Sequence, residues 1–181
     1  MAIRNIRTDG DEILRKKSKE VKEITPRTND LIDDLIENVH EYNGVGLAAV
    51  QVGVLKRICV VCVEDYPEVD EEGNEIPSNP LEHSNGEEII IINPTVTAIG
   101  DETQTGQEGC LSVPNKFGQV TRPFHVKLNA FDRNLKPFEM EAEGLLARAI
   151  CHECDHMDGI MYTDLVEGEL HEALTEDEEE E

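Results

Sequence analysis

Two histidines and a glutamate near the end of the chain have the spacing of a metal site. Residues His152 to His156 read HECDH, an H-E-x-x-H motif in a segment that is predicted to be helical. Successive helical residues turn by about 100°, so the two imidazoles point about 40° apart and can bind one metal ion. Glu153 lies about 80° to the side of their midpoint, where it can contact a metal-activated water. A pair of solvated or core histidines is the alternative interpretation.

A hydrolytic metal ion usually has three protein ligands and one open position, so a third ligand must come from elsewhere. The candidates that follow the motif lie in an acidic stretch: Asp164, Glu167, Glu169 and His171. Cys110, in the upstream segment EGCLSVP (108–114), is a better candidate, because a thiolate is a strong ligand for zinc or ferrous iron. Taken alone, this cysteine also fits a small buried hydrophobic residue.

The positions of these side chains depend on helices and strands that the sequence predicts. Helices are predicted at residues 11–21, from Thr25-Pro26 to a stop at Gly44, and at about 145–157. Strands are predicted at residues 57–65, 88–101, 118–132 and 137–144. A glycine-rich segment, GVGLAAVQVG (44–53), is predicted to lie tightly beside the core. The fold class is therefore α+β, with mostly antiparallel strands packed around the C-terminal metal-binding helix that carries HECDH.

Length and charge predict one domain with two acidic segments. The 181 residues are 38% hydrophobic and suit a single core, so residues 1–174 are predicted to form one catalytic domain. Residues 64–88 contain ten acidic residues and no Lys or Arg, which predicts a solvated insert loop at about 65–88. Residues 175–181 are predicted to be an acidic, disordered tail. A net charge of -24 disfavours direct nucleic-acid binding, because phosphates attract Lys and Arg.

The sequence predicts a cytoplasmic protein that does not enter a membrane. The longest apolar runs, such as Ile89 to Ile92, are far shorter than the ~20 residues of a membrane span. The opening segment MAIRNIRTDGDEI lacks the apolar stretch of a secretory signal. The five cysteines, an odd number, are therefore expected to be reduced thiols.

Three motifs resemble the signature motifs of the peptide deformylase family, in its order and at about its separations. They are GVGLAAVQVG (44–53), EGCLSVP (108–114) and CHECDHMDG (151–159). The segment from Leu14 to Lys17 also resembles the family's N-terminal LRKK-like segment, so the resemblance covers nearly the whole chain. It implies a metallohydrolase that removes the N-formyl group from the initiator methionine of nascent polypeptides and releases formate.

The resemblance also implies roles for individual residues. The implied metal ligands are Cys110, His152 and His156. Glu153 matches the general acid/base, and the side chain of Gln51 and the backbone N–H of Leu111 match the two donors of an oxyanion site. Glu108 and Arg122 match an ion pair that braces the cysteine segment.

The substrate-binding positions that the resemblance implies are Val45, Gly46, Gly109, Leu145 and Ala149. Gly46 matches a residue whose backbone pairs with the substrate peptide. Val45, Leu145 and Ala149 match positions of the apolar pocket that receives the methionine side chain. The implied partners are N-formylmethionyl nascent peptides and, through them, a transient proximity to ribosomes.

The residue types suit the hydrolysis of a formamide. A metal ion lowers the pKa of its bound water, and the resulting hydroxide attacks the formyl carbon. Gln51 and the Leu111 amide help to stabilise the tetrahedral oxygen, while Glu153 passes a proton from the water to the departing amine. Two histidines and one cysteine suit both zinc and ferrous iron. The resemblance favours Fe²⁺, with Zn²⁺, Ni²⁺ or Co²⁺ as alternatives.

The chain departs from the family pattern at three positions that bear on fine substrate preference. Arg148 stands near the pocket where many relatives have an aliphatic residue. Cys151 replaces a common Gln before the first histidine ligand. Phe117 stands where some relatives have a substrate-facing Arg.

Three other interpretations of the motifs stay open. One is another metallo-amidase or peptidase with an H-E-x-x-H helix. Another is a catalytically silent binding protein, which is disfavoured because every reactive position is filled. The third is a structural zinc module built on Cys59-x-x-Cys62 and Cys151-x-x-Cys154. The 88 residues between these pairs far exceed the usual gap of about 15–20. In a strand, Cys59 and Cys62 would also face opposite sides.

Overall fold

The chain forms two α-helices and eight β-strands in the residues that the computed structural model describes: 2–65, 67, 70–73, 76 and 78–172. The helices are α1 (Pro26–Glu41) and α2 (Gly144–Met157). The strands are β1 (Gly46–Ala48), β2 (Ile58–Val61), β3 (Ile89–Ala98), β4 (Thr103–Cys110), β5 (Val113–Pro123), β6 (His125–Phe131), β7 (Pro137–Glu143) and β8 (His171–Glu172). The predicted acidic tail and part of the predicted insert lie outside the described residues. None of the described helices has the length and apolar character needed to span a membrane.

The strands form two sheets in which every described pair is antiparallel. The larger sheet has five strands in the order β1-β2-β3-β6-β7, and the smaller has three in the order β4-β5-β8. The α+β class with mostly antiparallel strands is therefore confirmed.

The two helices cover opposite faces of the five-stranded sheet, as the alternation along β2 demonstrates. Cys59 and Val61 pack in the apolar cluster that contains Ile150 of α2. Ile58 and Val60 pack in the cluster that contains the apolar residues of α1. Because successive strand residues point to opposite faces, β2 is buried on both sides and anchors α2 firmly to the sheet.

The predicted start of α1 is confirmed, but its predicted end and the predicted helix at residues 11–21 are wrong. α1 begins as expected, with Thr25 Oγ1 accepting a hydrogen bond from Thr28 N at 3.2 Å and Pro26 in the first turn. It ends at Glu41, and Asn43 rather than Gly44 adopts the left-handed conformation, with φ of 50°. Of the predicted helix at 11–21, only a 3₁₀ turn at Glu12–Arg15 forms.

The rest of that N-terminal segment is extended because its backbone forms hydrogen bonds with distant parts of the chain. Ser18 N donates to Met157 O at 2.8 Å, and Lys19 N donates to Leu55 O at 3.1 Å. These bonds tie the segment to the end of α2 and to the loop before β2, where tertiary pairing outweighs local helix propensity.

The strand that ends at Cys110 is not predictable from its composition. β4 contains few apolar residues, yet it pairs along its length with β5, from Thr103 opposite Pro123 to Glu108 opposite Gly118. The predicted strand at 118–132 was wrong as one element. It divides between Pro123 and His125, because β5 belongs to the smaller sheet and β6 to the larger one. β8 was likewise missed, since a polar two-residue strand held by backbone pairing leaves no hydrophobic pattern.

Candidate metal centre and active site

The three predicted metal ligands converge between the end of β4 and one face of α2. Cys110 is the last residue of β4, and His152 and His156 lie one turn apart on α2. Cys110 Sγ lies 3.3 Å from His156 Nε2, which lies 3.2 Å from His152 Nε2. The ligand atoms of the three residues all lie within 4.8 Å of one another, and no second such group occurs in the described part of the chain.

This donor set fits a divalent metal ion. A tetrahedral ion with imidazole ligands at about 2.0–2.1 Å holds their nitrogens about 3.4 Å apart. The separation of 3.2 Å between the two Nε2 atoms is close to that spacing. One thiolate and two imidazoles are donors that zinc and ferrous iron accept. Three protein donors also leave a tetrahedral ion one further position, as hydrolysis requires.

His152 is oriented by a buried ion pair. Its Nδ1 donates to Glu108 Oε2 at 3.0 Å, which leaves Nε2 as the nitrogen that faces the other two donors. Arg122 donates to both oxygens of Glu108, at 2.9 and 3.0 Å, and also to Asp155. Burial alone raises the pKa of Glu108, but the hydrogen bonds from Arg122 and His152 outweigh it and lower that pKa to about 2. The carboxylate therefore stays ionised, and the expected Glu108–Arg122 pair is confirmed.

Glu153 is buried beside the three donors without being one of them. Its Oε2 has no hydrogen-bond partner among the described protein residues. Burial raises the pKa of Glu153 to about 7, although the neighbouring His152 lowers it. A carboxyl group with that pKa can accept and release a proton near neutral pH. The Glu153 side chain lies over Gly46, where an added Cβ would come within 2.7 Å of Glu153 Cγ and Oε1.

Gln51 also points at the donor triangle. Its Oε1 accepts from Ala48 N at 2.9 Å, which fixes the carboxamide so that Nε2 faces Cys110 Sγ at 3.5 Å and Ser112 Oγ at 3.2 Å. Leu111 follows Cys110 directly and borders the same pocket. The fold therefore brings Gln51 and Leu111 together with the cysteine.

A pocket of about 530 Å³ opens beside these residues. The predicted site residues that line it are Val45, Gly46, Gln51, Gly109, Cys110, Leu111, Leu145, Ala149, His152 and Glu153. Val45 and Leu145 are 46% and 44% exposed, so they lie at its rim, whereas Ala149 is buried. Exposed apolar side chains around a concave site are typical of a surface that receives an apolar ligand group.

Comparison with known proteins decides the family. Residues 3–171 match the family model for polypeptide deformylase. The chain belongs to the polypeptide deformylase family. A peptide deformylase from Lachnoclostridium phytofermentans is 53% identical over 181 residues, all of this chain and 99% of that protein. A peptide deformylase from Agathobacter rectalis is 47% identical over 180 residues, 99% of this chain and 100% of that protein.

A solved structure supports the same membership. The crystal structure of peptide deformylase from Ehrlichia chaffeensis matches with a TM-score of 0.79 and 36% identity, over 92% of this chain and 89% of that one. The resemblance that the three motifs carry is therefore confirmed, and the chain is a hydrolase of the polypeptide deformylase family.

Two residues of this polypeptide deformylase site were missed from sequence. Arg148 was interpreted only as a change near the pocket, but its Nη1 donates to Glu108 Oε1 at 2.7 Å. Its position one helical turn before His152 was the available signal. Tyr162 stacks on the His152 ring, with centroids 6.0 Å apart, and its hydroxyl donates to Lys116 O at 2.8 Å. No sequence pattern linked Tyr162 to the motif.

The remaining cysteines do not form a zinc module in the described residues. Cys59 lies within β2 and Cys62 lies just beyond its end, and the two pack in different apolar clusters. Cys151 and Cys154 pack against the core around Cys59 and take no part in the donor group. Burial raises the pKa of Cys151 to about 11, so its thiol stays protonated at neutral pH.

Proposed function

We propose that the chain hydrolyses the formamide bond of N-formylmethionyl nascent peptides, giving formate and a peptide with a free N-terminal methionine. The observation that carries the proposal is a three-donor metal site beside the buried carboxylate of Glu153, at the wall of an apolar pocket. Family membership supports the substrate class, since the relatives named above are peptide deformylases. Because nascent chains are the proposed substrate, the proposed place of action is the cytoplasm, in transient proximity to ribosomes.

The proposed metal ligands are Cys110, His152 and His156. A divalent ion held by these three residues would act as a Lewis acid and lower the pKa of a nearby water molecule. Glu108 keeps His152 Nε2 directed at the site through its bond to Nδ1. Tyr162 stacks beside the same ring, with centroids 6.0 Å apart.

The proposed proton carrier is Glu153. Its carboxylate accepts a proton as water attacks the formyl carbon, and it then delivers that proton to the amine nitrogen as the C–N bond breaks. Burial of Glu153 keeps bulk water from competing for this proton. Gln51 Nε2 and the Leu111 N–H are proposed to donate hydrogen bonds to the formyl oxygen as it gains negative charge.

The substrate peptide is proposed to bind as an added strand. β1 pairs with β2 and with no other described strand, so its outer edge can pair with an extended peptide. Gly46 lies on this edge strand, and Gly109 lies across the pocket near the end of β4. Val45, Leu145 and Ala149 are proposed to contact the methionine side chain.

A panel of short peptides tests the proposed reaction. Formyl-Met-Ala should release formate and Met-Ala, whereas acetyl-Met-Ala and unmodified Met-Ala-Ser should remain intact under the same conditions. Formate is measured with a coupled dehydrogenase, and the peptides are followed by mass spectrometry. Cleavage of Met-Ala-Ser without formate release from formyl-Met-Ala would instead identify another metallopeptidase.

Gly46→Ala is expected to lower kcat/KM for formyl-Met-Ala at least tenfold while the metal content stays near one per chain. The added methyl would lie 2.7 Å from Glu153 Cγ, so the proton-carrying side chain must move. Gly44→Ala is the comparison variant, because its methyl would come no closer than 3.3 Å to the end of the Leu111 side chain, 3.5 Å to Gly46 O and 3.8 Å to Val39 O. Its loss should stay below threefold. Full activity in Gly46→Ala would contradict the proposed place of Glu153.

The proposed native metal is Fe²⁺, and exposure to air tests it. Ferrous iron beside a thiolate is open to oxidation, so the iron-loaded protein should lose activity in air. The nickel-loaded protein should keep its activity, since Ni²⁺ is not readily oxidised. Half-lives of formate release are measured in air and under argon for both forms. Equal half-lives for the iron form would count against iron as the working metal.

A further inference from the structure

Arg148 reaches the same carboxylate as the metal ligand His152, from the same face of α2. The two residues lie one helical turn apart. Arg148 Nη1 donates to Glu108 Oε1 at 2.7 Å, and His152 Nδ1 donates to Glu108 Oε2 at 3.0 Å. The two oxygens of one carboxylate are therefore held by two donors of one helix.

Arg148 also donates to backbone carbonyls of the smaller sheet. Nη1 donates to Val120 O at 3.0 Å, and Nη2 donates to Gln104 O at 3.1 Å. The residue is only 8% exposed. It borders the pocket next to Ala149, but its charge is directed into the protein and not at a ligand in the pocket.

Arg122 alone does not balance the charges of the two carboxylates that it contacts. Its guanidinium is shared between Glu108 and Asp155. Arg148 supplies the second guanidinium, so that two carboxylates face two cations, as buried charges require. Without Arg148, Glu108 would be held by Arg122 from β5 but would lose its second attachment to α2. Oε1 of Glu108 would then keep only its bond from Arg122, so the carboxylate, and with it the His152 ring, would be held less tightly.

We propose that Arg148 is a positioning residue for the metal ligand His152, acting through Glu108. It fixes the Glu108 carboxylate against α2, and the carboxylate fixes the imidazole. The inference rests on the metal site of the proposed function. It reassigns Arg148 from a wall of the methionine pocket to a brace of the metal centre.

The test measures metal affinity, so it does not depend on turnover. The apo forms of the unmodified protein and of Arg148→Met are titrated anaerobically with Co²⁺ in competition with a chelator, and visible absorption reports the ligand geometry. Arg148→Met keeps a long apolar side chain at the pocket but loses the charge. It should weaken Co²⁺ binding at least tenfold and shift the visible bands, because partners that orient a ligand typically change metal affinity 10–100-fold. KM for formyl-Met-Ala should change less than threefold.

Arg133→Met is the matched control. Arg133 also holds an ion pair, with Asp33 at 2.6 Å, and donates to Asn29, but it contacts α1 and not the metal centre. Its loss should leave Co²⁺ affinity and bands unchanged. Arg148→Lys keeps the charge with fewer donors and should lose less affinity than Arg148→Met. Circular dichroism establishes that each variant is folded, and Arg148→Lys carries the test if Arg148→Met does not fold.

A double substitution separates action through Glu108 from an independent effect. In a Glu108→Gln background, Arg148→Met should weaken Co²⁺ binding less than twofold, because the carboxylate through which it acts is already gone. The proposal would be overturned if the two substitutions weakened Co²⁺ binding by the product of their separate factors. It would also be overturned if Arg148→Met raised KM and left Co²⁺ affinity unchanged, because Arg148 would then act as a residue of the pocket wall. If the unmodified protein binds no Co²⁺, this inference and the proposed function both fail. Equal affinity in the unmodified protein and Arg148→Met overturns the inference alone.

Discussion

Glu153→Ala is expected to lower formate release by a factor of about 10² or more while about one metal ion per chain is retained. The carboxylate lies beside the donor triangle, and it is not among the three residues whose atoms converge. Its Oε2 has no partner among the described residues, so no structural hydrogen bond of that atom is lost on substitution. The metal site should therefore survive, and the loss should fall on proton transfer.

Glu153→Gln separates the lost proton carrier from the lost volume. Glutamine fills the same space beside Gly46 but cannot take a proton from water. Both variants should therefore show similar losses in kcat, with metal content measured by mass spectrometry on the same preparations. If either variant keeps most of its activity, Glu153 is not the general acid/base. If the metal leaves with the carboxylate, Glu153 belongs among the ligands.

Cys110→Ala is expected to abolish activity and to release the metal. Its Sγ lies 3.3 Å from His156 Nε2, and replacing it leaves only two histidines, which hold a divalent ion weakly. Metal content after dialysis against a mild chelator should fall from about one per chain to near zero. The fold should persist, because Cys110 lies at the end of β4 and only borders the smaller apolar cluster that contains Val120 and Met161.

Cys151→Ala and Cys154→Ala are the matched controls, since both remove a partly buried thiol from α2. On the helix, Cys154 lies about 180° and Cys151 about 120° from the direction in which the two imidazoles point. Each variant should keep the metal and at least a tenth of the activity. A structural zinc module predicts the opposite pattern, in which Cys154→Ala releases the metal and Cys110→Ala does not.

The sequence predicts the core of the candidate site because helix geometry is local. Residues four apart in HECDH share a face of any α-helix, so His152, His156 and the offset of Glu153 follow without knowledge of the fold. The third ligand follows from the resemblance to known motifs. It also follows from helix geometry, because Cys151 and Cys154 point away from the direction of the two imidazoles. The alternating burial of β2 likewise follows from strand geometry.

The bracing of the site is not predictable in the same way, because it depends on a strand register. Arg122 lies on β5 opposite Gln104 of β4, and Glu108 lies farther along β4 on the same sheet. β4 has no hydrophobic pattern from which this register, or even the presence of a strand, could be predicted. The inward turn of Arg148 depends on carbonyls of these same two strands. From the sequence, Arg148 is expected only to lie near the apolar pocket, whereas in the structure it is a buried partner of Glu108.

One metal ion, held by Cys110, His152 and His156, is proposed to support the hydrolysis of formyl-methionine. The most direct test of this proposal is an anaerobic titration of the apo protein with Fe²⁺, with the initial rate of formate release from formyl-Met-Ala measured at each addition. The rate should rise in proportion to bound iron and level off at about one ion per chain, and apo Cys110→Ala should gain no activity. Formate release that is independent of bound metal, or its absence at full occupancy with Fe²⁺, Ni²⁺, Co²⁺ and Zn²⁺ alike, would contradict the account.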